Sequence, residues 1–323
     1  MSVITRRSAA SFLLASPFVV AGRGASAQVR ELRVDYATYS PVSLVLRAKG
    51  WLEEEFKADG IAIRWVLSAG SNKALEFLNA GSLDIGSTAG AAALVARVNG
   101  NPVRAVGVFS KPEWTALVTK PDSGIAKPAD LKGRRVAVTR GTDPHIFLVR
   151  AIAAAGLTER DVKVVPLQHA DGRLALVRGD VDAWAGLDPI MAAAELENGA
   201  TLFHRDAEAN TWGILNTREA FLASHPQLVA RVLQVYERAR IWSLANQAEL
   251  AATLAKEAKL ADPIIVRQLE RTDLTHAKIG PAQVATIRAA GEALQAAGVI
   301  AANVDIAAVS RDLVDASLAP RSA

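Results

Sequence analysis

The stretch LKGRRVAVTRGTDPHIFLVRAIAAAG, Leu131 to Gly156, reads as a strand, a short loop and a helix whose first turn is exposed just beyond the strand. Arg135 to Thr139 is a short run rich in β-branched residues, and Gly141 lets the chain turn sharply. Thr142 or Asp143 suits the N-cap, Pro144 the first turn, and Gly156 the left-handed residue that ends the helix. Ile146, Val149 and Ile152 fall on one helical face. A helix begun this way turns unpaired N–H groups and its positive dipole end toward whatever lies beyond the strand, the place where α/β folds hold anions. One such βα unit is ordinary. Its repetition along the chain gives it weight.

The same grammar occurs three times upstream. Leu32 to Ala37 alternates like a strand, and Ser40-Pro41 opens a helix that stops at Gly50. Ile61 to Leu67 is a second strand, followed by a helix for which Ser71 is a suitable cap, with Leu75 and Leu78 on its buried face. Leu83 to Ser87 is a third, leading into a helix from about Thr88 to Asn99-Gly100. Strands alternating with single helices predict mostly parallel sheets, which bind ligands at their carboxyl edges. Pro112, Pro121 and Pro128 then punctuate the chain around one strand, Ala116 to Thr119, which marks a crossing to a second lobe. That lobe continues through strands at 162–167, 181–185 and 201–204, and the chain returns near Gly213. From Ala220 onward the pattern is helical, with Val229, Val232, Leu233, Tyr236 and Ala239 as a stripe. The expected division is 1–27 as an export signal, 28–112 with 213–323 as a discontinuous first lobe, and 113–212 as the second.

The totals narrow the function. A chain of 323 residues with 50% hydrophobic content has enough material for two packed lobes. Its net charge of +4 depends on Arg6, Arg7 and Arg23; without them 34 basic residues face 33 acidic ones, no surplus for gripping nucleic acid. Those three arginines lie in a segment with the layout of a signal: a basic start, an apolar run from Phe12 to Ala21, and Ala25-Ser26-Ala27 before a mature start at Gln28. Thr5-Arg6-Arg7 hints at twin-arginine export, although Ala9 and Ala10 stand where that motif has Phe and Leu. There is no cysteine, which removes thiol catalysis, cysteine metal sites, disulfides and a lipid-modified cysteine anchor. The five histidines show no close metal-ligand spacing. No metal, cofactor or catalytic residue is expected.

If the two lobes face each other by their strand ends, the hydroxyl-bearing helix starts near Ser40, Ser71, Thr88 and Thr142 converge on one cleft and offer neutral donors to an anion. Ser and Thr are also common caps, so each one alone has a plain structural explanation. Trp184 and Trp212 lie at lobe edges, where an aromatic packs either a ligand or the hinge. Asp188 either orients an amine or hydroxyl or caps the next helix. His145, on the first turn of its helix, either donates to an anion or is packed.

The ordered segments LRVDY, EFLNAGSLDIGSTAG, ADLKGRRVAVTRGTDPH and ADGRLALVRGDVDAWAGLDP, with the helical tail, resemble the aliphatic-sulfonate-binding receptors of ABC importers, within the wider nitrate, sulfonate and taurine group. The resemblance implies a two-lobed type II periplasmic-binding-protein fold, each lobe a mostly parallel sheet flanked by helices, with a helical extension on the first lobe. It implies a monomeric, non-catalytic receptor that closes on a small organic anion and delivers it to permease and ATPase subunits. It places Ser40, Gly70, Ser87, Thr88, Gly141, Thr142, His145, Trp184 and Asp188 along the cleft, with Ser71 joining them as a helix start. Two departures bear on the ligand. Asp143-Pro144 stands where the family has small hydroxyl residues, adding a carboxylate and removing an N–H, and Thr88-Ala89-Gly90-Ala91-Ala92 replaces Thr-Gly-Asp-Pro-Pro. An Asp143 turned to solvent leaves a sulfonate as the expected ligand; turned inward, it favours a ligand with a cation or hydroxyl. Nitrate, taurine or a carboxylate are the alternative ligands, a sensory receptor is an alternative role, and an enzyme on the same scaffold is the alternative class, although no Gly-x-Ser-x-Gly elbow or paired-carboxylate site is present.

Overall fold

The computed structural model describes residues 29–318. The expected export signal lies outside the described residues. The chain runs β1 (Glu31–Tyr36), α1 (Pro41–Lys49), α2 (Trp51–Phe56), β2 (Ala62–Leu67), α3 (Ser71–Asn79), β3 (Ile85–Ala89), α4 (Gly90–Val98) and β4 (Val103–Pro112). It then forms β5 (Leu117–Thr119), β6 (Arg135–Val138), α5 (Asp143–Ala154), β7 (Lys163–Pro166), α6 (His169–Arg178), β8 (Ala183–Ala185), α7 (Ile190–Asn198) and β9 (Thr201–His204). β10 (Gly213–Arg218) leads into α8 (Glu219–Ser224), α9 (Pro226–Ala245), α10 (Gln247–Ala258), α11 (Asp262–Glu270), β11 (Thr272–Asp273), α12 (Pro281–Ala296) and α13 (Ile306–Leu313).

Two sheets result, ordered β11-β4-β10-β3-β1-β2 and β7-β6-β8-β5-β9. β1 pairs in parallel with β2 and β3, and β6 pairs in parallel with β7 and β8. The sheets are mixed rather than mostly parallel. The returning strand β10 inserts antiparallel between β3 and β4, and β5, arriving from the first lobe, inserts antiparallel between β8 and β9. Both are the strands on which the chain changes lobe, so they enter from the opposite end to the βα repeats.

The period of two is plain in β6 and β8. Val136, Val138, Ala183 and Ala185 pack on one face with Phe147, Leu148 and Ile152, while Ala137 and Trp184 pack on the other with Leu176 and Met191. The stripe on α9 is buried as its spacing predicts. The face predicted on α5 divides: Ile146 and Val149 join the core of the first lobe, and Ile152 joins that of the second. α5 is therefore a wall shared by both lobes, which explains why nine of its twelve residues are buried. Among the described residues no helix is long and apolar enough to cross a membrane.

Candidate ligand-binding site

Parallel pairing sets the carboxyl ends of β1, β2 and β3 side by side, and likewise those of β6, β7 and β8. The helices that follow start along these two edges, and the edges meet. A Cβ built on Gly70, the N-cap of α3, would lie 3.0 Å from Nε2 of His169 on α6, and one on Gly141 would lie 3.6 Å from Cβ of Asn72 on α3. The start of α3 thus faces the starts of α5 and α6 across the gap between lobes. Each start has first-turn N–H groups without an intrahelical partner.

Buried side-chain atoms without a hydrogen-bond partner mark the same edges: Ser40 Oγ, Ser68 Oγ, Asn72 Oδ1, Gln168 Oε1, both ring nitrogens of His169 and Nε1 of Trp184. Folded proteins seldom leave such groups unpaired, because each costs about 1–3 kcal/mol. Trp184 lies beneath the first turn of α6, where only a glycine fits: a Cβ on Gly172 would come within 2.7 Å of the indole nitrogen. Burial pushes the His169 imidazole down to about 3, so it is neutral at pH 7. None of these residues is Arg or Lys. An oxyanion here would be held by neutral N–H and O–H donors and helix termini.

The residues singled out from sequence divide into three groups. Ser40, Gly70, Gly141, Thr142 and Trp184 lie at these edges, with Ser40 Oγ free and the Thr142 hydroxyl donating to the Thr139 carbonyl (2.6 Å). Ser71, Ser87 and Thr88 bond within the first lobe. Ser71 Oγ accepts from Ala89 N, Ser87 donates through N and Oγ to Asp35, and Thr88 Oγ1 accepts from Asn216 Nδ2. β3 continues through Ala89, so α4 begins two residues beyond Thr88, at Gly90.

The third group points elsewhere. His145 Nε2 pairs with Glu159 Oε1 (3.0 Å) and lines a groove of about 780 Å³ between the flank of α5 and the end of α12. That groove holds none of the unpartnered atoms above. Asp188 accepts from Ala192 N and from Arg271, an ion pair between lobes. Trp212 stacks edge-on against His276 and donates to Thr286. Asp143 faces neither solvent nor a vacant cleft. It is 2% exposed and accepts from Trp114 Nε1 (2.9 Å), Thr211 N (2.9 Å) and Thr211 Oγ1 (2.7 Å), all on the crossing segments. Burial raises its pKa, and these donors oppose the shift.

Sequence reading missed His169 and Asp35. α6 starts at His169 with Gln168 in the N-cap position, so this fifth start after a strand lacks the hydroxyl residue that marks the other four. Asp35 is a carboxylate between Val34 and Tyr36 in β1, fully buried and pushed up to about 7 by desolvation.

Two α/β lobes joined by paired crossings, with helix starts and unpartnered donors between them, define a binding protein that encloses its ligand. The chain belongs to the NMT1/THI5-like family, whose model matches residues 39–250. It is 31% identical over 295 residues, 89% of each chain, to an Escherichia coli K12 protein provisionally named an aliphatic sulfonates-binding protein. Its fold matches the alkanesulfonate-binding protein SsuA of Xanthomonas axonopodis pv. citri bound to MOPS, with a TM-score of 0.79 and 25% identity over 90% of this chain and 99% of that one. The periplasmic aliphatic sulphonate binding protein SsuA of Escherichia coli gives a TM-score of 0.72 and 28% identity over 86% and 90%. All three are named for binding and none for catalysis.

Proposed function

We propose that this protein is the periplasmic substrate-binding component of an ABC importer and that it captures an aliphatic sulfonate by closure of its two lobes. The observation that carries this reading is the set of buried, unpartnered groups able to donate, the Ser40 and Ser68 hydroxyls, the His169 imidazole and the Trp184 indole N–H, beside the facing starts of α3 and α6. A sulfonate presents three equivalent acceptor oxygens and a single delocalised charge, which suits several neutral donors converging from different elements. Ser40, Gly70, Gly141, Thr142 and Trp184 would line the site together with Asn72, Gln168 and His169, while Ser71, Ser87 and Thr88 brace its first-lobe wall. The inward turn of Asp143 adds no unpartnered carboxylate, because both its oxygens already accept hydrogen bonds from the crossing segments.

The export signal would deliver the chain to the periplasm as a monomer, and its partners would be the permease and ATPase subunits. Calorimetric titration of the mature chain with C2 to C6 alkanesulfonates, taurine, nitrate and acetate tests the ligand class. An alkanesulfonate should bind at least tenfold more tightly than nitrate or acetate. Binding of none of the alkanesulfonates would refute the sulfonate assignment.

A further inference from the structure

The helix starts at the lobe edges are not equally available. At the start of α4 the backbone N–H of Ala89 donates to Ser71 Oγ (3.0 Å), that of Gly90 to the Trp212 carbonyl (2.9 Å) and that of Ala91 to Thr211 Oγ1 (3.1 Å). Thr211 in turn donates to Asp143. The positive end of α4 is therefore closed by the protein's own acceptors, with a buried carboxylate behind them. An anion at that start would have to displace three hydrogen bonds and approach a like charge.

At the opposite side of the gap the situation reverses. His169 is 1% exposed, occupies the first position of the ten-residue helix α6, and has no partner on either ring nitrogen. It stands against Gly70, whose missing side chain leaves the imidazole room at the start of α3. We propose that the anion lies at the junction of α3, α5 and α6, away from α4, and that His169 is the side chain that reaches it across the lobes. This assignment rests on the anion-receptor reading, but not on which anion is bound. A neutral imidazole in this position supplies one N–H directed at an acceptor, a role the amide of a glutamine can also fill.

The test is titration of the wild-type chain, His169→Ala and His169→Gln with the same panel of anions, each variant first checked for an unchanged circular-dichroism melting curve. Loss of a hydrogen bond to a charged ligand predicts affinity for the tightest-binding anion reduced roughly 10- to 100-fold in His169→Ala, with His169→Gln within about fivefold of wild type. Histidine labelled with ¹⁵N gives a readout independent of affinity and of the variants' folding: the His169 ring signals should move on saturation with that anion. Wild-type binding with His169→Ala within twofold and unmoved ring signals would overturn the assignment while leaving the receptor reading intact. Binding of no anion by the wild type would overturn both.

Discussion

Asp35 is fully buried beneath the first-lobe edge, and its carboxylate accepts from Ser87 through N and Oγ, each at 2.9 Å. Desolvation outweighs these bonds and pushes its pKa up to about 7. The folded chain then holds this proton more tightly than the unfolded chain, whose carboxylate titrates near an ordinary pKa of about 3.9. Stability from this group is complete below pH ~4, falls as pH rises toward about 7, and levels off above it, a swing of roughly 4 kcal/mol. Asp35→Asn removes the titration and keeps an oxygen for Ser87 N. Urea unfolding at pH 4.5, 5.5, 6.5 and 7.5 should show the variant gaining on the wild type by several kcal/mol across that series. A constant difference would mean that Asp35 titrates normally. The sequence shows this residue as one acid in LRVDYA, but its burial follows from the pairing of β1 between β2 and β3, which a local pattern does not contain.

Among the elements, α4 and α5 are held by one small network: Ala91 N to Thr211 Oγ1, Thr211 Oγ1 to Asp143, and Trp114 Nε1 to Asp143. It joins a helix of each lobe to both crossing segments. Thr211→Val keeps the shape but leaves a buried N–H and a carboxylate oxygen unpaired, which should cost about 2–4 kcal/mol in urea unfolding. Thr211→Ser retains the hydroxyl and should lie within about 1 kcal/mol of the wild type; equal losses in both would assign the effect to packing. This network also explains what was legible beforehand. The βα units were readable because strand and helix periods are local, and so were the helix starts at Ser40 and Thr142. The end of β3 was not, because Thr88 and Ala89 are kept extended by pairing with the distant strand β10. The role of Asp143 was equally hidden, since its donors lie 29 and 68 residues away. His145 resembled a ligand donor by position, yet its partner, Glu159, is supplied by the turn after its own helix.

For the molecule as a whole, the two lobes are bridged by a buried ion cluster beside a small apolar contact. Arg271, just after α11, meets Asp188 at 3.3 Å and also pairs with Glu195 of α7, while Ile264 of α11 packs on Ala192 and Ala193. Arg271 and Asp188 are almost fully enclosed, so closure strips both of water, and their attraction returns little beyond that cost. Arg271→Met makes this imbalance measurable. With its partner gone, the buried acid at 188 is uncompensated only while the lobes are closed, a penalty of about 3–5 kcal/mol that opening relieves. The ligand-free variant should therefore show a larger radius of gyration in solution scattering than the wild type, and its tightest-binding anion should bind at least tenfold more weakly. Adding Asp188→Asn removes the stranded charge while keeping an acceptor for Ala192 N, so the double variant should return most of both effects. Unchanged scattering in Arg271→Met would show that closure does not depend on this ion pair.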